Sequence, residues 1–221
     1  MCFSSAASFG AAALLAAAGI ASIAKVRHQK EVMFAAIPVI FAIQQVAEGL
    51  LWLSMGNLAL RTLREDLTYF FLFVAESVWP VWVPLSLLLL ERSRPRKAVL
   101  ASLLIIGLFT SVYLAFYLLT YSVEATVSSC HILYLQHLRS PYSVLASLPY
   151  LSATILPFLV SGARGMRWLG LVELASYLLT KAFYDHQLLS VWCFYAGLIS
   201  VFIIGIMRSM HRDQRVKHNK I

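Results

Sequence analysis

Polar residues are sparse along this chain and gather in short clusters between apolar runs. The runs cover residues 6–24, 32–55, 68–90, 98–121, 143–160, 166–183 and 188–207. Most match the roughly 20 apolar residues that a helix needs to cross a bilayer, so the pattern predicts seven helices. The clusters between them alternate in charge. Lys25, Arg27, His28 and Lys30 follow the first run; Arg92, Arg94, Arg96 and Lys97 follow the third; Arg164 and Arg167 follow the fifth; Arg208, Arg212, Arg215, Lys217 and Lys220 close the chain. The intervening stretches are neutral or balanced: residues 56–67 set Arg61 and Arg64 against Glu65 and Asp66, residues 122–142 carry Arg139 as their only Lys or Arg, and Tyr184, Asp185 and His186 form the third. Basic flanks stay in the cytoplasm. The expectation is therefore an all-α integral membrane protein, one seven-helix domain over residues 1–221, amino terminus outside, with a basic cytoplasmic tail over 207–221. Met1 to Gly10 holds no Lys or Arg, unlike the start of a secretory signal, so the first run is read as a retained helix. The fifth run is short and holds Pro149 and Pro157.

Polar interruptions inside the runs are where chemistry is expected. Gln44, Gln45, Glu48 and Trp52 are three or four apart and share one helix face. An acid and two amides facing hydrocarbon would be costly, so that face must look into the protein or a wet cavity. The 1.5 Å helical rise places Glu48 roughly 10 Å, and Glu76 roughly 12 Å, inside the outer ends of their helices. Glu173 lies nearer the middle of the sixth helix. Pro80 and Pro84 remove two helical amides, freeing the carbonyls of Glu76 and Pro80. Intramembrane carboxylates commonly mark ion paths. Gln44, Gln45, Glu48, Trp52, Glu76 and Glu173 are thus the candidate ligand-binding set of an outward-facing polar pocket for an ion or small solute. The structural alternative is that the same groups are hydrogen-bond glue between helices.

Composition agrees with the patterning. Of 221 residues, 60% are hydrophobic and 13% charged, with a mean hydropathy of +0.77, outside the range of soluble globular domains. The net charge of +8 sits in short loops rather than on one basic face, so nucleic acid is not an expected partner; the bilayer and a small solute or ion are. Cys2, Cys130 and Cys193 form no C-x-x-C pair. Cys2 and Cys130 are both expected outside, where a disulfide between them is permitted, while Cys193 shares a helix face with the small residues Ser190, Ala196, Gly197 and Ser200. Cys130, His131, His137, Asp185 and His186 are ligand types suited to zinc or copper. They carry the alternative reading, a membrane-embedded metal-dependent hydrolase near the outer face with Glu48 or Glu76 as base. No H-x-x-x-H or H-E-x-x-H occurs. Retinal is set aside because the seventh helix has no lysine, Lys181 ending the sixth, and b-type haem because no histidine falls inside a span. The sequence fixes no cofactor and leaves the oligomeric state open.

Met1-Cys2-Phe3-Ser4 with Ala7-Ser8-Phe9, Gln44-Gln45-x-x-Glu48-Gly49-x-x-Trp52, Trp79-Pro80-x-x-x-Pro84 and Ser190-Val191-Trp192-Cys193-Phe194 together make the chain resemble DUF6629, a family of bacterial membrane proteins without an assigned activity. The resemblance spans the whole chain, with Ser5 where the family's opening more often reads Ala. It implies a seven-helix, multi-pass protein of the bacterial inner membrane and brings no catalytic or binding residues with it.

Overall fold

Ser4 starts the first helix, its extended backbone turning in and its hydroxyl accepting from the Ala7 amide at 3.2 Å, which satisfies one of the amides left free at a helix start. The structure, a computed structural model, describes residues 4–128, 131–136 and 144–218. Its helices are α1 (Ser5–Ile23), α2 (Val32–Ala35), α3 (Ile37–Ser54), α4 (Arg61–Phe73), α5 (Trp79–Leu90), α6 (Arg94–Thr120), α7 (Val144–Thr154), α8 (Leu156–Val160), α9 (Met166–Phe183), α10 (Leu188–Ser200) and α11 (Ile203–His218), with strands β1 (Val123–Ser128) and β2 (His131–Gln136) between α6 and α7. Pairs α2/α3, α4/α5, α7/α8 and α10/α11 nearly run on into one another, so the helices form seven rods. Pro38 and Pro157 sit in the first turns of α3 and α8, where a missing amide is tolerated at a helix start but not within one. Five rods are long and apolar enough to cross a membrane. Rod α7/α8 is short and broken, and α9 carries Arg167, Glu173 and Lys181.

The core runs between the rods through Leu15, Phe34, Phe41, Trp79, Leu87 and Met166. The outward faces are apolar too. On α6, Phe109 is 75% exposed, Phe116 66% and Leu119 84%, an apolar outer surface of the kind that lipid covers.

Three stretches differ from the sequence expectation. Residues 56–67 were expected to be a connection, but α4 starts at Arg61, and the Arg61 guanidinium meets Glu65 at 2.9 Å one turn on. Charged residues at that spacing extend a helix as readily as they end one. Residues 122–142 were expected as a long loop; instead β1 and β2 pair antiparallel from Val123↔Gln136 to Ser128↔His131. Val123 and Ile132 are buried with Leu51, Phe71 and Leu72, and Tyr134 stacks on Phe71 at 5.1 Å, so the hairpin caps the end of α3 and α4. The third stretch is Val74–Val78, a π-helical turn joining α4 to α5 just before Pro80. Two neighbouring helices supply hydroxyls to its carbonyls: Tyr150 Oη donates to Ala75 O at 2.5 Å and Ser111 Oγ to Ser77 O at 2.6 Å. Side chains, rather than an open pocket, thus serve the backbone that the prolines disturb.

At the other end of α5, Glu91 ties two turns together. One carboxylate oxygen accepts from the Arg92 and Ser93 amides at 2.9 and 3.0 Å, the other from the Gly162 amide at 2.7 Å. Partial burial raises the pKa of this carboxyl, but the three amides and the Arg96 guanidinium together hold it below the ordinary value of 4.5. A carboxylate whose folded pKa lies below its unfolded one stabilises the fold above the unfolded value, and that stability is lost as pH falls through the folded value. The unfolding temperature of detergent-purified protein is therefore expected to fall as pH drops below about 4.5, and Glu91→Gln to flatten that part of the profile. Parallel profiles for the two proteins would refute the clamp.

Candidate functional site

The face of α3 predicted to look inward does so. Gln44, Gln45 and Glu48 are fully buried, and Trp52 is half-buried one turn further on. Their partners come from α5 and α10. Ser190 Oγ donates to one Glu48 carboxylate oxygen, and Gln45 Nε2 donates to the other at 3.1 Å. Gln44 Nε2 lies 3.4 Å from Cys193 Sγ, and Trp79 Nε1 donates to Gln44 Oε1 at 3.2 Å. Gln44 and Glu48 are four apart on α3, and Ser190 and Cys193 three apart on α10, so two polar rungs join these antiparallel helices. Trp79 attaches α5 to the same ladder and stacks on Phe41 with centroids 4.1 Å apart.

At the carboxyl end of α3 the ladder meets the hairpin. Gln45 Oε1, Trp52 Nε1 and Tyr134 Oη are buried and have no hydrogen-bond partner among the described residues. Burial, and then the nearby Glu48 carboxylate and Cys193 thiol, push the Tyr134 hydroxyl well above its usual pKa.

Towards the amino end of α3 the ladder borders a cavity of about 50 Å³. Its walls come from α3, α5, α7, α8, α9, α10 and the start of α11, with Trp79, Trp192, Tyr150, Cys193, Ser200 and Glu173 bringing the aromatic and polar groups. Trp192 is held edge-on by Tyr177 at 5.1 Å and Tyr150 at 6.0 Å. Glu173 is the acid in this wall; the Ser176 hydroxyl lies 3.5 Å from its carboxylate and 2.7 Å from its carbonyl.

Of the six residues expected to line a polar pocket, only Glu173 faces this cavity. Gln44 meets two of its wall residues, Trp79 and Cys193, Gln45 and Glu48 lie further along α3 towards Trp52, and Glu76 is buried on the π-helical turn. The cavity wall is mostly apolar, because Ser190, Cys193 and Trp79 engage Glu48 and Gln44 on the polar face of α3. Ser190, Cys193, Trp79, Tyr150 and Trp192 complete the site. A Ser and a Cys three apart on an apolar helix carried the signal for two of them, but nothing along the sequence says which helix they face.

Among the described residues no three His, Cys, Asp or Glu side chains come together. His131 is buried with its ring 5.0 Å from Tyr184. Asp185 is exposed and paired with Lys181 at 2.7 Å, and His186 is exposed. Cys130 and His137, and with Cys2 the expected disulfide, lie outside the described residues.

Neither a curated protein nor a solved structure matches the chain. A family model does match residues 1–218, almost the whole length, and its description reads family of unknown function. The chain belongs to the DUF6629 family.

Proposed function

We infer that the chain is a multi-pass protein of the bacterial inner membrane in which all seven rods cross the bilayer, the amino terminus outside and the tail beyond Arg208 cytoplasmic, and that it binds and carries a small cation or cationic solute. The alternation of basic and neutral connections supports the topology, and the five long apolar helices support the membrane setting. The observation that carries the binding reading is the cavity itself, where one carboxylate, Glu173, shares a small chamber with the side chains of Trp79, Trp192 and Tyr150. Aromatic faces attract cations, more strongly once water is excluded, and a lone acid inside a membrane protein favours a positive partner. A volume of about 50 Å³ suits an inorganic ion with little of its hydration shell or a small ammonium, since a water needs roughly 10–15 Å³ on the same measure. The Gln44–Cys193 and Glu48–Ser190 rungs hold α3 and α10 in register around it.

Thermal unfolding of detergent-purified protein with sodium, potassium and tetramethylammonium chlorides tests this. A ligand at a hundredfold excess over Kd stabilises by about 2.7 kcal/mol, so at least one of these salts should raise the unfolding temperature of wild type and fail to do so for Glu173→Gln. Equal responses of the two proteins, or no response in wild type, would overturn the reading.

A further inference from the structure

A second, larger hollow lies at the end of the bundle where the arginines gather. It is a groove of about 720 Å³ between the first turns of α9 and the α10–α11 junction. One wall is Trp168, Leu169 and Val172, and the facing wall is Ile199, Phe202 and Ile206. Trp168 is 73% exposed and Phe202 68% exposed, so the groove is open along an apolar flank. Its mouth is polar and basic. Arg164 and Arg167 stand on the rim, both exposed, with Ser161 and Ser209. Arg96 lies against Gly162, where an added Cβ would come within 1.8 Å of its guanidinium. Among the described residues, Glu91 beside Gly162 already accepts from three backbone amides. Glycine makes the room: Gly165 takes the left-handed conformation (φ +88°) that turns the chain into α9, and a Cβ added at Gly205 would meet nothing within 4 Å.

We propose that this groove is a binding site for a single anionic phospholipid, its phosphate held by Arg164 and Arg167 and an acyl chain lying between α9 and the α10–α11 junction. Two features with different chemistry meet here as they meet in such a lipid. A phosphate is best recognised by guanidinium groups, which pair with its oxygens two at a time, and an acyl chain is best recognised by an apolar trough. A free phosphate has no use for the trough, and a zwitterionic lipid gains less from the basic mouth. Trp168 stands beside the arginines, at the headgroup level where tryptophans concentrate in membrane proteins. The site rests on the rods spanning a bilayer; it shares the wall residue Leu169 with the cation cavity but does not rest on that cavity binding a cation.

Native mass spectrometry of the detergent-purified, delipidated full chain tests the proposal. Equimolar phosphatidylglycerol and phosphatidylcholine would be added, with and without excess inorganic phosphate. Wild type should retain one phosphatidylglycerol in at least fivefold preference over phosphatidylcholine, and phosphate should displace little of it. The double variant Arg164→Glu/Arg167→Glu should lose the preference while its unfolding temperature, read alongside, stays that of a folded protein; both side chains are exposed. Gly205→Leu, which projects a side chain into open groove, should reduce retention of both lipids while leaving the unfolding temperature unchanged or raised. Equal retention of the two lipids by wild type, unchanged adducts in the variants, or full displacement by phosphate would each overturn it. Protein that stays soluble without detergent would instead overturn the membrane reading beneath it.

Discussion

Glu48→Leu is expected to unfold well before wild type, and Glu48→Gln close to it. The two oxygens of Glu48 accept from Ser190 and Gln45, both buried. Leucine leaves both donors stranded, and a buried polar group without a partner costs about 1–3 kcal/mol. A loss of about 2 kcal/mol or more is therefore expected. Glutamine can keep both links: its carbonyl accepts from Ser190, and its amide can donate to Gln45 Oε1, which has no partner among the described residues, once the Gln45 amide turns over. Its cost should stay near the 0.6 kcal/mol average of membrane hydrogen bonds. Equilibrium unfolding of the three proteins in mixed micelles reads the order directly, and a leucine variant as stable as the glutamine one would refute the ladder. The cation response separates structure from binding. If Glu173 is the site carboxylate and Glu48 a tie between helices, Glu48→Gln keeps the response that Glu173→Gln loses.

This division of labour between two carboxylates was only half legible in the sequence. The inward face of α3 was readable, because helical spacing and the cost of polar groups in hydrocarbon leave little choice for Gln44, Gln45 and Glu48. What they face was not, because that depends on which distant helix packs there. Ser190 is 142 positions from Glu48 and Cys193 149 from Gln44, and residues on an apolar helix look alike until a partner selects one side. The same limit hid the hairpin. Six residues per strand gave alternation too short to stand out beside runs three times longer, and its buried face is defined by Phe71 and Leu51 on other elements. The proline signal in rod α4/α5 pointed to the carbonyls of Glu76 and Pro80, whereas the hydroxyl bonds go to those of Ala75 and Ser77. The structure supplies Tyr150 and Ser111, placed by α7 and α6, instead of a pocket. Seven rods emerge as expected, since apolar length is a property of each segment alone.

Gly107→Ala should destabilise the fold more than its single methyl suggests. A Cβ at position 107 would lie 1.9 Å from the Pro80 carbonyl oxygen, 2.8 Å from its carbon and 3.3 Å from Ala153 Cβ. The nearest obstacle is backbone, which cannot swing aside as a side chain end can, so α6 must move away from α5. Small residues let helices approach this closely in membranes, where packing rather than hydrophobic burial holds them together. Moving α6 also pulls on Ser111, one turn along, and with it the 2.6 Å bond to Ser77 O that the π-helical turn relies on. Overpacking alone costs about 1–3 kcal/mol, and the added loss of that bond places Gly107→Ala at or above the upper end. Gly10→Ala is the matched control: it too is a helical glycine, but nothing lies within 4 Å of its absent Cβ, so the gain in helix propensity, up to about 1 kcal/mol, should make it slightly more stable than wild type. Unfolding both variants under one set of conditions therefore predicts opposite signs for the same chemical change. Two small shifts of the same sign would mean that α6 and α5 are not in backbone contact at Pro80.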